Sequence, residues 1–169
     1  MEGRSAYNRG MDHSVKPGAE LSQEEIETCV SVIRAGCAVD PESASQELPH
    51  AIAVAIVRAG EEIVGVGAVK SQRPDYATRI ASDEKSGFLF DPEMHELGYV
   101  AVLESSRDQR LSSQIVERLL ACYDGPLWAT TSSARMRTSL KNRGFVRRGK
   151  DWPSSKKGKQ LSLWIKQGK

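Results

Sequence analysis

Glu96-Leu-Gly-Tyr-Val-Ala-Val-Leu-Glu-Ser-Ser-Arg107-Asp-Gln-Arg110-Leu-Ser112-Ser113-Gln-Ile-Val116 is the stretch that decides how this chain folds. Leu97 to Leu103 is nearly all apolar, the signature of a strand buried on both faces of a sheet. A short polar turn follows. Leu111, Ile115, Val116, Leu119 and Leu120 then mark one face of a helix of about four turns. A helix that opens directly after a buried strand presents backbone N–H groups with no intrahelical partner and the positive end of its macrodipole. Both suit a phosphate or pyrophosphate. Gln109, Ser112 and Ser113 add side-chain donors, and Arg107 and Arg110 add positive charge. By local pattern alone, a turn that binds nothing is the plainer reading.

Upstream of this stretch, Ser22-Gln-Glu-Glu25 has the spacing of a capping box, and Ile26, Cys29, Val30, Ile33 and Cys37 recur at helical spacing. A first helix is expected over about 23–36. A second starts at Asp40-Pro41-Glu42 and runs to about Leu48, ahead of Pro49. Ala51–Arg58 and Ile63–Lys70 read as two strands of a hairpin. Residues 71–94 read as a polar loop. Downstream, Pro126–Thr131 reads as a strand, and Ser133 as the cap of a short helix that buries Met136 and Leu140 and stops at Gly144. Val146–Lys150 and Leu161–Lys166 complete the pattern as strands. The order is α-α-β-β-β-α-β-α-β-β, a mixed α/β architecture. Residues 1–20 lack periodicity and read as a flexible leader before a single domain over 21–169.

Composition narrows the function classes. The chain has 169 residues, of which 39% are hydrophobic and 27% charged, enough for one buried core. Its longest apolar run, Ala51 to Val57, falls far short of the ~20 residues of a membrane helix. No apolar signal segment is visible at the start, so no membrane attachment and a cytoplasmic location are expected. Cys29, Cys37 and Cys122 form no C-x-x-C pair, and the three histidines form no ligand pair with them, so no metal site is expected. The net charge of +2 conceals an asymmetry. From residue 134 onward there are 12 bases and one acid, a net +11, against −9 for residues 1–133. Such a carboxy-terminal fifth attracts phosphates, or is a solvated basic face.

Taken together, the strand–turn–helix from Glu96 and the later run ending in Arg143-Gly144-Phe145 resemble the GNAT superfamily of acyl-coenzyme-A-dependent N-acyltransferases. The resemblance spans roughly residues 22–166 and includes the order of elements. It implies a GNAT-like, mostly antiparallel mixed sheet flanked by helices, whose central strand splays from the strand at 126–131 with the pantetheine arm between them. In that family the pyrophosphate of coenzyme A is held by backbone amides of a glycine-containing turn. Arg107, Asp108, Gln109, Arg110, Leu111, Ser112 and Ser113 occupy that position here. The resemblance also assigns cofactor contacts to Val100, Val102 and Ser133, with a backbone N–H near Val102 polarising the thioester carbonyl. Two departures stand out. Arg110 and Ser112 replace the family's glycines, where a Cβ obstructs close backbone approach. Leu140 stands where many members carry a tyrosine that protonates the leaving thiolate, so either no acid is used or another residue, such as Tyr123, substitutes.

The implied activity is transfer of an acetyl group from acetyl-CoA to a primary amine by direct attack in a ternary complex. Glu96 is the candidate base, with burial beside Tyr99 expected to tune it, and a surface role is the alternative reading. His95 and Glu93 are further candidates. The acceptor is expected to be a small-molecule or protein amine. Asp75, Asp83, Glu84, Asp91, Glu93 and Tyr76 would favour a cationic one, although Arg73, Arg79 and Lys85 dilute that charge and a solvated loop is the preferred account. A catalytically weak or inactive coenzyme-A-binding or protein-interaction module is the alternative function. Nucleic acid ranks third as a partner, because at least two of Trp128, Trp152 and Trp164 read as core residues rather than stacking faces. Related folds dimerise through edge strands, so a homodimer stands among the expected states.

Overall fold

The computed structural model describes residues 10–36, 41–71, 74–107, 109–155 and 158–169. Among the described residues the sheet has seven strands, in the order β1 (Met11–Lys16), β2 (Ala53–Ala59), β3 (Glu62–Lys70), β4 (His95–Val102), β5 (Leu127–Thr131), β7 (Gln160–Lys166) and β6 (Val146–Pro153), and the chain divides into two compact units, Met1–Val69 with Tyr99–Tyr123, and Lys70–Gly98 with Asp124–Lys169. Strand β4 (His95–Val102) contributes its first half to the second unit and its second half to the first.

The first unit begins with β1 (Met11–Lys16), which pairs antiparallel with β2 (Ala53–Ala59) from Met11↔Ala59 to Lys16↔Val54. This corrects the leader expected over 1–20 at residues 11–16; residues 1–9 lie outside the described residues. β2 in turn pairs antiparallel with β3 (Glu62–Lys70). Helix α1 (Gln23–Gly36) opens with the expected capping box. The Glu25 amide donates to Ser22 Oγ at 3.1 Å, and the Ser22 amide donates to the Glu25 carboxylate at 3.0 Å. The same carboxylate takes Lys16 of β1 at 2.8 Å and Arg58 of β2 at 3.1 Å, tying the helix to both strands. The Lys16 ammonium first, and then the Ser22 amide, hold the Glu25 carboxyl down at about 2. Helix α2 (Pro41–Glu47) follows; Asp40, its expected start, and Cys37 lie outside the described residues.

Helix α4 (Leu111–Cys122) lies close against β3 because Gly67 has no side chain: a Cβ there would sit 2.4 Å from Ile115 Cγ2, and Ile115 is wholly buried. In β4, Tyr99 takes a left-handed backbone (φ +56°), rare for a side chain of its size, and its buried ring sends the hydroxyl to the Glu47 carboxylate of α2.

In the second unit, β4 runs parallel to β5 (Leu127–Thr131) through the pairs His95↔Leu127 and Glu96↔Trp128. β5 is antiparallel to β7 (Gln160–Lys166), and β7 to β6 (Val146–Pro153), with a register shift between Arg148 and Trp152. Trp128 is the hub of the core here. Its indole N–H donates to the Met94 carbonyl at 3.1 Å, and the rings of Tyr76 and Phe90 pack on it at 5.6 and 5.2 Å. Those contacts correct the loop expected over 71–94. Helix α3 (Pro74–Ala81) forms within it and buries Ala77 and Ile80, one turn apart, so Tyr76 is engaged in the core rather than held ready for an acceptor. Helix α5 (Ala134–Asn142) ends in a Schellman motif on Gly144 (φ +89°), with the Phe145 amide donating to the Leu140 carbonyl and the Gly144 amide to that of Lys141.

Candidate anion-binding turn and a buried carboxylate

After β4 the chain turns tightly. The Leu103 amide still bonds the Val64 carbonyl of β3 at 2.8 Å; Ser106 and Arg107 then bond back to Leu103 and Glu104, closing a 3-10 turn over Glu104–Ser106. Arg110 follows as the residue before α4, in the left-handed region at φ +56°, ψ 26°. Glycine reaches that conformation freely, whereas a residue with a Cβ is destabilised there by roughly 1–2 kcal/mol. The turn thus keeps a glycine's backbone shape around an arginine. Arg110 itself is exposed.

The first bond of α4 runs from the Gln114 amide to the Arg110 carbonyl at 3.1 Å. The amides of Leu111, Ser112 and Ser113 therefore precede the helical ladder, and the Arg110 side chain makes no capping bond. Leu111 itself is buried and anchors the turn, Ser112 and Ser113 are half-buried, and Arg107 is exposed. Gln109 has its carbonyl oxygen buried without a hydrogen-bond partner, an uncommon state for such a group. Asp108 lies outside the described residues. Val100 and Val102 are half-buried on β4, alternating with the buried Tyr99 and Ala101. The first unit thus gathers all the described members of the expected pyrophosphate turn.

Glu96 stands in the second unit. It is 9% exposed and forms an ion pair with Lys70, itself 5% exposed, at 3.1 Å. Gly98 leaves room for this pair: a Cβ there would lie 3.0 Å from Lys70 Cε and 3.5 Å from Glu96 Oε1. Sequence reasoning missed Lys70, because a lysine closing an apolar strand reads as a solvated end. The tuning expected from Tyr99 is corrected, since that hydroxyl goes to Glu47 and the group opposite Glu96 is an ammonium.

The remaining candidates are dispersed. Tyr123 ends α4, half-buried, and burial raises its pKa above the ordinary phenol value, so it carries its proton at neutral pH. Ser133 is exposed, and its hydroxyl oxygen accepts the Met136 amide at 3.2 Å as the cap of α5. Leu140 is buried, and Met136 is half-buried rather than buried. His95 is half-buried; Asp75, Asp83, Glu84, Asp91 and Glu93 are all exposed, the arrangement of a solvated surface. Arg73 lies outside the described residues. Among the described residues no group of His, Cys, Asp or Glu is placed to hold a metal ion, and no helix is long and apolar enough to cross a membrane.

No family model and no curated protein matches the sequence. Solved structures do match. An acyl-CoA N-acyltransferase from Pseudomonas aeruginosa superposes with a TM-score of 0.66 at 14% identity, over 92% of this chain and 99% of that one. Arabidopsis thaliana NAA60, solved with a bisubstrate analogue, gives 0.62 at 12% identity over 91% and 97% of the two chains. A structure from Corynebacterium glutamicum, described as histone acetyltransferase HPA2 and related acetyltransferase, gives 0.60 at 21% identity over 93% and 97%. The chain therefore has the fold expected from the sequence, that of the GNAT acetyltransferases.

Proposed function

We propose that this chain is a GNAT-type N-acetyltransferase that moves an acetyl group from acetyl-CoA to a primary amine within a ternary complex. The observation that carries this reading is the turn before α4. Arg110 holds a glycine-like left-handed backbone at the helix start, its side chain points to solvent, and the amides of Leu111–Ser113 precede the helical ladder. Strain at a non-glycine residue persists where the surrounding structure requires the shape, and such positions cluster at functional sites. The positive helix end suits a diphosphate, and Arg107 and Arg110 supply charge to neutralise it.

The thioester that acetyl-CoA brings provides the activated acyl group. The chain's own residues supply the rest of the chemistry. Leu111, Ser112 and Ser113 bind the diphosphate through their amides, and Gln109, Val100 and Ser133 are further contact positions. The backbone N–H near Val102 draws charge from the thioester carbonyl. In this reading Glu96 takes the proton that the acceptor amine must lose before attack, and Tyr123, a phenol at neutral pH, returns a proton to the leaving thiolate. The acceptor is a small-molecule or protein amine, the setting is cytoplasmic, and a homodimer is compatible with the fold.

One observation favours a second reading, a module that binds coenzyme A without turnover: the carboxylate of Glu96 is already committed to a buried ammonium. The two separate experimentally. Acetyl-CoA at millimolar concentration raises the melting temperature under either reading, and no shift removes both. Glu96→Gln should abolish transfer to a panel of amines while keeping the acetyl-CoA shift. Turnover that survives this change would exclude Glu96 as the base, and absence of turnover in the unaltered protein across the panel would favour the binding module.

A further inference from the structure

Among the described residues, Lys70 and Glu96 are the only buried residues with charged side chains, and they pair with each other at 3.1 Å. Lys70 closes β3 and Glu96 is the second residue of β4. Gly98 makes the close fit possible, since a Cβ there would lie 3.4 Å from Lys70 Nζ. On its other side, β5 places Trp128 opposite Glu96, an uncharged neighbour, and His95 next along β4 is half-buried. Asp75, Asp83, Glu84, Asp91 and Glu93 of the same unit are exposed. The one buried carboxylate is therefore matched by the one buried ammonium, and together they carry no net charge.

We propose that the acceptor is an amine of low basicity that enters uncharged, an α-amino group beside a carbonyl, and that Lys70 excludes ammonium ions such as a protonated lysine side chain. The inference rests on the proposed function, with Glu96 as its base. An ammonium ion approaching Glu96 gives up its water, gains no net attraction from a neutral pair, and is repelled by the Lys70 charge 3.1 Å from the carboxylate. A neutral amine meets neither penalty. Its lone pair forms the new C–N bond, the C–S bond breaks with its electron pair on sulfur, and the proton shed by the nitrogen passes to Glu96. An α-amino group titrates at about 7.7–8.0 and a lysine side chain at about 10.4. At pH 7.5 roughly a third of the first and about one in 800 of the second is neutral, a difference of roughly 200-fold in the reactive form. Lys70 touches the base rather than the acceptor, so it acts on specificity through Glu96.

The test measures kcat/KM at saturating acetyl-CoA for three acceptors: a short peptide with a free N-terminus and no lysine, the same peptide acetyl-blocked with one lysine added, and an amino-acid amide. At pH 7.5 the free α-amines should exceed the lysyl peptide by roughly 200-fold. Between pH 7 and 9.5 the lysyl value should rise about tenfold per pH unit with its neutral fraction, while the N-terminal value levels off above about pH 8. Lys70→Met leaves Glu96 unmatched and able to hold an ammonium ion, so it should flatten the lysyl slope; Lys70→Arg, which keeps the charge, should keep it. The melting shift with acetyl-CoA reports that each variant is folded, and Lys70→Gln replaces the methionine variant where that one unfolds. Turnover of the peptide without the amide identifies a polypeptide N-terminus as the source of the amine, and equal turnover of the amide a small molecule. A lysyl peptide acetylated as fast as the free N-terminus at pH 7.5, or a lysyl slope unchanged in Lys70→Met, would overturn the inference and leave acetyl transfer standing. Turnover of none of the three, with the acetyl-CoA shift retained, would overturn both in favour of the binding module.

Discussion

Replacing Arg110 by glycine is the sharpest perturbation the turn offers. Arg110 sits at φ +56°, ψ 26°, where a Cβ crowds the following carbonyl and raises the energy by roughly 1–2 kcal/mol. Glycine removes that penalty but frees the unfolded chain, which offsets roughly 0.5–1 kcal/mol. The arginine side chain is exposed, so little packing is lost with it. The net expectation is a stabilisation of about 0.5–1 kcal/mol, or a melting temperature higher by about 1–4 °C for a chain of this size. Arg110→Ala is the decisive companion, because it deletes the same charge while keeping the Cβ; it should stay within about 0.5 kcal/mol of the parent. Arg110→Asn, which tolerates the left-handed region better, should fall between alanine and glycine. Urea denaturation at neutral pH with a common slope, supported by calorimetry, orders the series. If alanine stabilises as much as glycine, the gain comes from charge and the strained backbone plays no part. If glycine destabilises, the side chain holds the turn and the reasoning fails.

Three further outcomes follow from the buried contacts. Gly67→Ala drives a methyl against Ile115 and should lose about 1–3 kcal/mol, read by calorimetry as a lower melting temperature. A neutral effect would mean that α4 is not held at that distance. Lys70→Met strands the Glu96 charge and should cost about 3–5 kcal/mol in urea, with most of the loss recovered in Lys70→Met/Glu96→Gln; additive losses would deny the pairing. Glu25, held at about 2 when folded against 4.5 unperturbed, supports the fold above about pH 4.5, and that support disappears as the pH falls toward 2. Glu25→Gln should therefore flatten stability over that window in acid titrations followed by circular dichroism. A profile as steep as the parent's would place the acid sensitivity elsewhere.

The elements legible in the sequence are those whose boundaries carry local chemistry. The Ser22–Glu25 box, the Gly144 stop and the apolar run of β4 each specify their structure with residues close in sequence, and the structure reproduces them. β1 was hidden although its signal is present: Met11, His13 and Val15 alternate with Asp12, Ser14 and Lys16, but glycine and charge on either side outweigh so short an alternation. α3 was hidden for a related reason. Pro74 opens it, yet among the residues whose burial is described only Ala77 and Ile80 are buried, and Trp128 and Phe90, on which Tyr76 completes the packing, come from other segments.

The candidate site divides along the same line. The position of the turn was readable because a buried strand followed by a helix fixes where the amides ahead of the helical ladder must lie. Its conformation was not, since arginine argues against the left-handed region by every local preference and only the tertiary structure overrules it. The Lys70–Glu96 pair was also unreadable, because 26 residues separate the partners and each alone resembles a solvated strand end. These two features pull in opposite directions. A turn that keeps a glycine's shape at an energetic cost points to a use for that shape, whereas the Glu96 carboxylate is held by a buried ammonium. Under the proposed function, binding and turnover rest on separate residues in this chain. Acetyl-CoA affinity should follow Arg110 and the α4 amides, and turnover should follow Lys70 and Glu96.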